Sequence, residues 1–153
     1  MKIRVPGKLI LSGEHAVVYG SPALAMAINR YAQAEALPQL LPLISFDLGD
    51  LAYQQAFRLV SLDRLKERIK QKYRRFLRGE FKIREVLKKP VELAQVALSL
   101  FFEVLAVKPT QGVKIKVRSD IPIGCGMGSS AAIILAVMHV IARHLNTSLA
   151  PEF

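Results

Sequence analysis

The sequence has 153 residues, is 52% hydrophobic and carries a formal net charge of +10. That length and apolar content suffice for one sizeable core and exclude a disordered chain. The longest apolar stretches, Ala131–Ala142 and Leu93–Val107, the second broken by Gln95 and Glu103, fall short of the ~18–20 uninterrupted residues a membrane span needs. Both are expected as buried helices, and no membrane partner is expected. The N-terminal run Met1–Pro6 has no apolar region followed by a small-residue cleavage site, so a cytoplasmic location is expected. The single cysteine, Cys125, forms neither an internal disulfide nor a zinc site.

Taken in chain order, Lys2–Val5, Leu9–Leu11 and Val17–Tyr19, punctuated by Pro6-Gly7, Gly13 and Gly20, read as short strands and tight turns. Ile28–Ala36 extends as a further strand, with Pro38 and Pro42 in the connection after it. Ile44–Phe46 and Tyr53–Val60 are strand candidates around a turn of Asp47, Gly49 and Asp50. Leu62, Leu65, Ile69, Tyr73, Phe76 and Leu77 recur at steps that predict an amphipathic helix to about Arg78, capped by Ser61 and stopped by Gly79. Between Ser61 and Pro90 stand 12 Lys or Arg against 4 acids. That excess suits a solvated helix face better than a nucleic-acid footprint. A second helix is expected from Pro90 to about Ala106.

Gly112–Arg118 alternates, with Val113, Ile115 and Val117 on one face and Lys114, Lys116 and Arg118 on the other, as in a half-buried strand. A glycine loop follows, Pro122-Ile123-Gly124-Cys125-Gly126-Met127-Gly128, and then Ser129-Ser130-Ala131-Ala132 opens a helix to about Leu145. His139 and His144 are expected to serve core packing or the helix dipole. Asn146–Glu152 reads as the start of another helix, capped by Thr147 or Ser148, and an element opened at the end of a chain suggests a truncated domain.

Alternating glycines let a backbone take positive φ and approach a bulky anion without Cβ clashes. A helix N-terminus directly behind them aims free N–H groups and the positive end of its dipole at the same place. Polyphosphate is the natural guest, and the hydroxyls of Ser129 and Ser130 suit a helix cap, a phosphate or a magnesium ion. A Walker loop would need a lysine before the first hydroxyl residue, and a dinucleotide fold a different glycine spacing and a downstream acid; neither is present.

The loop resembles the second motif of the GHMP kinases, the family of galactokinase, homoserine kinase, mevalonate kinase and phosphomevalonate kinase. Pro6-Gly7-Lys8-Leu9-Ile10-Leu11-Ser12-Gly13-Glu14-His15-Ala16-Val17-Val18-Tyr19-Gly20 resembles the first motif. Its Glu14–Gly20 portion, followed by Pro22-Ala23-Leu24-Ala25, is similar to the mevalonate kinase version of it. The resemblance implies an α+β fold of the ribosomal protein S5 domain 2 type, a mainly antiparallel sheet with helices on one side, forming an N-terminal ATP-binding domain over residues 1–153. It implies transfer of the ATP γ-phosphoryl group to a small-molecule alcohol, here the primary hydroxyl of mevalonate, for isoprenoid synthesis, with ATP and Mg2+ as cofactors.

By the same resemblance, Lys8 is the catalytic lysine beside the transferred phosphoryl group and Glu14 and His15 bind substrate. Pro122, Gly124, Gly126, Met127, Gly128, Ser129, Ser130 and Ala131 hold the phosphates, and Ser130 approaches the magnesium. Whole family members are about twice as long, with a ferredoxin-like C-terminal domain that supplies a third glycine motif, a magnesium carboxylate and the catalytic aspartate. None of Asp47, Asp50, Asp63 and Asp120 lies in a matching context. Little turnover by the chain alone, and self-association through an uncovered apolar face, with a homodimer as one form of it, are therefore expected. Rival readings are a GHMP kinase with another substrate and a non-catalytic nucleic-acid-binding module.

Overall fold

The protein is described by a computed structural model covering residues 1–49, 53–80, 82, 85–87, 90–107, 109, 111–147 and 149. Five strands and three α-helices follow one another as β1 (Lys2–Ser12), β2 (Leu24–Gln39), β3 (Ile44–Leu48), β4 (Tyr53–Phe57), α1 (Leu59–Leu77), α2 (Pro90–Val104), β5 (Gly112–Ser119) and α3 (Ser129–His144). The sheet runs in the order β1-β2-β5-β3-β4. Three of its pairings are antiparallel and β3–β5 is parallel. This is the expected mainly antiparallel sheet, and its apolar face is covered by the helices.

Alternation decides which face that is. Ala32, Ala34 and Ala36 of β2, Val113, Ile115 and Val117 of β5, and Ile44, Phe46 and Leu48 of β3 are all buried. All but Ala32, which packs with Ile121 and Ala132, join Leu98, Phe101 and Phe102 of α2 and Ala136, Val137, Val140 and Ile141 of α3. The opposite face is polar. Register places Lys2 beside Glu35, Glu35 beside Lys116 and Lys116 beside Asp47, and Asp47 pairs with Lys114 at 3.5 Å and Arg118 at 3.6 Å. Alternating signs across neighbouring strands are the favourable arrangement for an uncovered sheet face.

Several boundaries differ from the sequence reading. Lys2–Val5 and Leu9–Leu11 are one strand, with register shifts between Pro6 and Lys8 and between Ile10 and Ser12 absorbing the interruptions. β1 is an edge strand, where a proline lacking its N–H costs least. Val17–Tyr19 is not a strand but belongs to a 3-10 turn, Ala16–Tyr19, held by Val17 N–H to Gly13 O at 3.0 Å and Ser21 N–H to Ala16 O at 3.2 Å. Pro38 lies within β2, opposite Val113. The N–H of Ala36, two residues earlier, donates to Met1 O at 3.1 Å. The Pro38 nitrogen therefore faces the same edge, past the start of β1, where no donor is needed.

Asp47 belongs to β3 rather than to the turn, and Asp50 lies outside the described residues. β4 stops at Phe57 and α1 begins at Leu59 with Arg58 at its N-cap. Ser61 is thus in the first turn, its N–H donating to Arg58 O at 2.9 Å. Gly79 ends the helix as expected, its N–H reaching Phe76 O at 2.8 Å. His139 is exposed rather than in the core, because α3 buries Ala136, Val137, Val140 and Ile141. His144 lies in the last turn of α3. After it, Asn146 takes a φ of +54°, and Ser148 lies outside the described residues.

Leu62 and Ile69 of α1 are buried, while Tyr73 and Leu77 further along the same stripe are exposed. A charged network joins α1 to α2. Lys66 is buried and its ammonium donates to Glu103 Oε2 at 2.8 Å and pairs with Asp63 at 3.6 Å. Ser99 Oγ donates to Asp63 Oδ1 at 2.8 Å. The Glu103 hydrogen bond holds the Lys66 pKa above that of a free lysine, and Lys66 in turn holds the Glu103 carboxyl below the ordinary range. No helix among the described residues is long and apolar enough to cross a membrane.

Candidate functional site

The glycine loop leaves the sheet at the end of β5 and returns as α3. Gly124, Gly126 and Gly128 take φ values of +78°, +72° and +73°, a region that costs an L side chain about 1–2 kcal/mol. A Cβ built on Gly124 or Gly126 would meet nothing within 4 Å. Backbone conformation, not crowding, therefore requires glycine at these two positions, and the space beside them is open to a guest. Pro122, Ile123, Cys125 and Gly126 are exposed. Gly128 is the N-cap of α3, and no side chain caps this end. Neither Ser129 nor Ser130 spends its hydroxyl there. The first bond of the helix is Ala132 N–H to Gly128 O at 3.0 Å, which leaves the N–H groups of Ser129, Ser130 and Ala131 ahead of it.

The loop is fixed at both ends. On the incoming side, the N–H of Asp120 donates to Tyr31 O at 3.1 Å, and the Asp120 carboxylate accepts the Tyr31 N–H. Ile121 N–H donates to Ser119 Oγ at 3.3 Å, and the Ile121 side chain is buried in a small cluster with Ala32, Ala132, Val5, Ile133 and Met127. On the outgoing side, the N–H of Lys8 donates to Met127 O at 3.0 Å. A Cβ on Gly7 would come within 3.0 Å of that same oxygen. β1 and the loop are thus in direct backbone contact. The aliphatic stem of Lys8 lies over Gly128, where a Cβ would stand 2.9 Å from Lys8 Cγ. The two motifs, far apart in sequence, meet here.

Glu14 and His15 lie in the β1–β2 connection. They pair with each other, Oε1 to Nε2 at 3.2 Å, with both side chains largely in solvent. Among the described residues no bond links them to Lys8 or to the loop. The structure therefore assembles Lys8 with the loop and leaves Glu14 and His15 beside each other on the projecting hairpin.

Beside the N-terminus of α3 is a predominantly apolar cleft of about 210 Å³, open to solvent. Leu48, Val91, Ala94, Val117 and Ile133 form its walls, and Ser129 and Ser130 stand at its edge. Sequence reasoning missed the wall residues because each reads as an ordinary core position; only the register that brings the end of β5 beside β3 and α2 reveals them. Among the described residues no group of three His, Cys, Asp or Glu side chains is placed to hold a metal ion. A divalent ion here would have to arrive on a phosphate ligand and take a serine hydroxyl, a mode that suits magnesium, which keeps several waters and is commonly held through substrate phosphates.

The mixed sheet with helices on one face, from which this glycine loop and helix depart, is the fold of a GHMP kinase N-terminal domain. Residues 90–152 match the GHMP kinases N terminal domain. Over that segment the chain is similar to the N-terminal domain of the GHMP kinase family, and its fold matches that domain. Along almost its whole length it is similar to mevalonate kinases. It is 32% identical to the mevalonate kinase of Methanocaldococcus jannaschii over 97% of this chain and 42% of that protein. It is also 32% identical to that of Pyrococcus furiosus over 96% of this chain and 40% of that protein. A crystal structure of the Methanococcus jannaschii mevalonate kinase superposes with a TM-score of 0.75 at 30% identity, covering 98% of this chain and 42% of that one. A Lactococcus lactis galactokinase structure, at 16% identity and a TM-score of 0.73, shares the fold. The chain thus spans between 40% and 42% of the length of these mevalonate kinase relatives.

Proposed function

We propose that the chain is the nucleotide-binding part of a mevalonate kinase, which transfers the γ-phosphoryl group of ATP to the primary hydroxyl of mevalonate. The observation that carries this reading is the placement of the Lys8 stem over Gly128, at the cap of α3 and beside its free N–H groups. The loop and helix terminus hold the polyphosphate through backbone N–H groups. The apolar cleft walled by Leu48, Val91 and Val117 receives the base. The Lys8 ammonium offsets negative charge that develops between phosphorus and the attacking oxygen. Magnesium, when bound with ATP, neutralises phosphate charge; Ser130 is the hydroxyl assigned to it, with Ser129 beside it on the phosphates. Glu14 and His15 are assigned to the hydroxy acid, to which they offer a carboxylate and an imidazole from the hairpin.

Proton removal from the alcohol is the step for which these residues offer least. Asp120 is the acid nearest the loop in sequence, and its carboxylate is engaged by the Tyr31 N–H. The chain alone is therefore expected to bind ATP and turn over little. The test is a coupled assay of the full-length protein with ATP and magnesium, comparing mevalonate with phosphomevalonate, galactose and homoserine, alongside ATP titration of this chain. Preference for mevalonate, with ATP binding lost on Gly126→Val or Ser130→Ala substitution, supports the reading. Preference for another alcohol moves the chain to another branch of the family, and absence of ATP binding sinks the assignment.

A further inference from the structure

We propose that Asp120 is a positioning residue for the phosphate loop, setting the point at which the chain leaves the sheet and hence where the loop's N–H groups stand. The role of the loop rests on the nucleotide-binding reading above; the clasp itself rests on geometry alone. β2 and β5 run in register to the pair Ala32 and Ser119. One residue further, the exchange between strands continues in altered form. Asp120 N–H still donates to Tyr31 O at 3.1 Å, but the return bond, from Tyr31 N–H, goes to the Asp120 side chain instead of its backbone carbonyl.

Substituting a carboxylate for a carbonyl frees the Asp120 C=O and lets the backbone turn out of the sheet at this residue. The next residue, Ile121, is buried, and Pro122 through Gly126 are exposed. Arg30 stands with Nη1 4.0 Å from the other carboxylate oxygen. Without the carboxylate, the Tyr31 N–H loses its acceptor, and the incoming limb of the loop keeps the single Asp120 N–H bond to Tyr31 O, the Ile121 packing and the Ile121 bond to Ser119. The outgoing limb is held separately, by Lys8 N–H on Met127 O. A fixed distance between the two limbs is what presents several N–H groups to one anion at once.

Hydrogen exchange tests this with a readout that does not depend on catalysis. The side chain of Asp120 is half-exposed, so Asp120→Ala opens no core cavity. Loss of a hydrogen bond to a charged group corresponds to at least about tenfold in the local opening equilibrium. The Tyr31 and Ile121 amides, both hydrogen-bonded at this junction, are expected to exchange about tenfold faster in Asp120→Ala, while Ser45 and Phe46 in β3 are unchanged. Asp120→Asn keeps an oxygen for the Tyr31 N–H and is expected to restore most of the protection. ATP affinity should fall about tenfold in the alanine variant and recover in the asparagine variant.

Uniform acceleration across the sheet, loss of the fold, or an unchanged Tyr31 amide would each overturn the proposal. If the unsubstituted chain does not bind ATP while the exchange pattern is as expected, the clasp stands and the nucleotide reading fails.

Discussion

Lys8 and Gly128 form a contact that neither could make with a neighbour in sequence. The lysine stem crosses the helix cap where a methyl group on the glycine would stand 2.9 Å from Cγ, while the lysine N–H is fixed to Met127 O. Gly128→Ala therefore carries two penalties, and Gly124→Ala only one. Both force an L residue into positive φ, at about 1–2 kcal/mol each, and both should lower the midpoint of chemical denaturation by a similar amount. Only Gly128→Ala also pushes the Lys8 side chain aside. On the proposed catalytic role of Lys8, a displacement of about 1 Å can cost about a hundredfold, so kinase turnover should fall far more in Gly128→Ala than in Gly124→Ala. Steady-state kinetics with stability measured in parallel separates the two.

The Lys66–Glu103 pair gives a pH dependence of definite sign. The folded pKa of Lys66 lies above its ordinary value of 10.5, so its contribution is complete below that pH and is lost as the pH rises through the folded pKa. Glu103 lies below its ordinary value of 4.5, so its contribution is present above that pH and is lost as the pH falls through the folded pKa. Lys66→Met removes both limbs and replaces a buried ammonium by an apolar side chain of similar length. Asp63 and Glu103 are both more than half exposed and stay hydrated without the lysine, so its stability near neutral pH is expected to stay within about 1 kcal/mol of the parent. Its stability should also vary less with pH below about 4.5. Urea denaturation at several pH values checks both statements.

How much of this was legible in the sequence varies with what each residue answers to. The alternation in β5 and the glycine loop could be read because each states a local requirement, a two-residue period in one case and a backbone conformation in the other. Ala16–Tyr19 could not. Its two valines and tyrosine have strand propensity, but they lie at the tip of a hairpin where no strand is available to pair with them. Pro38 was misplaced for a similar reason, since its tolerance in β2 depends on where β1 happens to begin. Ser61 has the chemistry of a cap, yet the helix starts earlier because Leu59 packs against the core. At the site, Lys8 was legible through its motif. The Asp120 clasp and the apolar cleft were not, because both arise from register between strands.

Core packing predicts a graded series. Phe46 is fully buried, between β5 and β4, and its ring meets Phe57 edge-on with centroids 6.2 Å apart. Phe46→Ala is expected to cost about 3–5 kcal/mol, a large part of the stability of a domain this size. Val60→Ala, at an exposed position on α1, is expected to stay within about 0.5 kcal/mol of the parent. Urea titration followed by circular dichroism reads both.

The projecting hairpin predicts an association behaviour. Leu11, Val17, Val18, Tyr19, Leu24 and Met26 are all exposed on it, a concentration of apolar surface uncommon on a monomer. The isolated chain should self-associate with rising concentration, and Val18→Asp with Leu24→Asp should return it toward a monomer without loss of secondary structure. Light scattering across a concentration series decides this. A parent chain that stays monomeric throughout would refute it.

β5 lies in the middle of the sheet although it is the last strand among the described residues. As the polypeptide emerges from a ribosome, the hairpin of β1 and β2 can close early, and β3 and β4 can pair soon after. The two hairpins then have no strand between them until Gly112–Ser119 has been made. Until that moment the inner edge of β2 carries unpaired amides, and the loop that follows β5 has no sheet from which to depart. Sheet closure and assembly of the candidate site therefore belong to one late event. The sequence separation it spans favours slow folding, and interrupted synthesis would leave a sticky intermediate with half a sheet and no site.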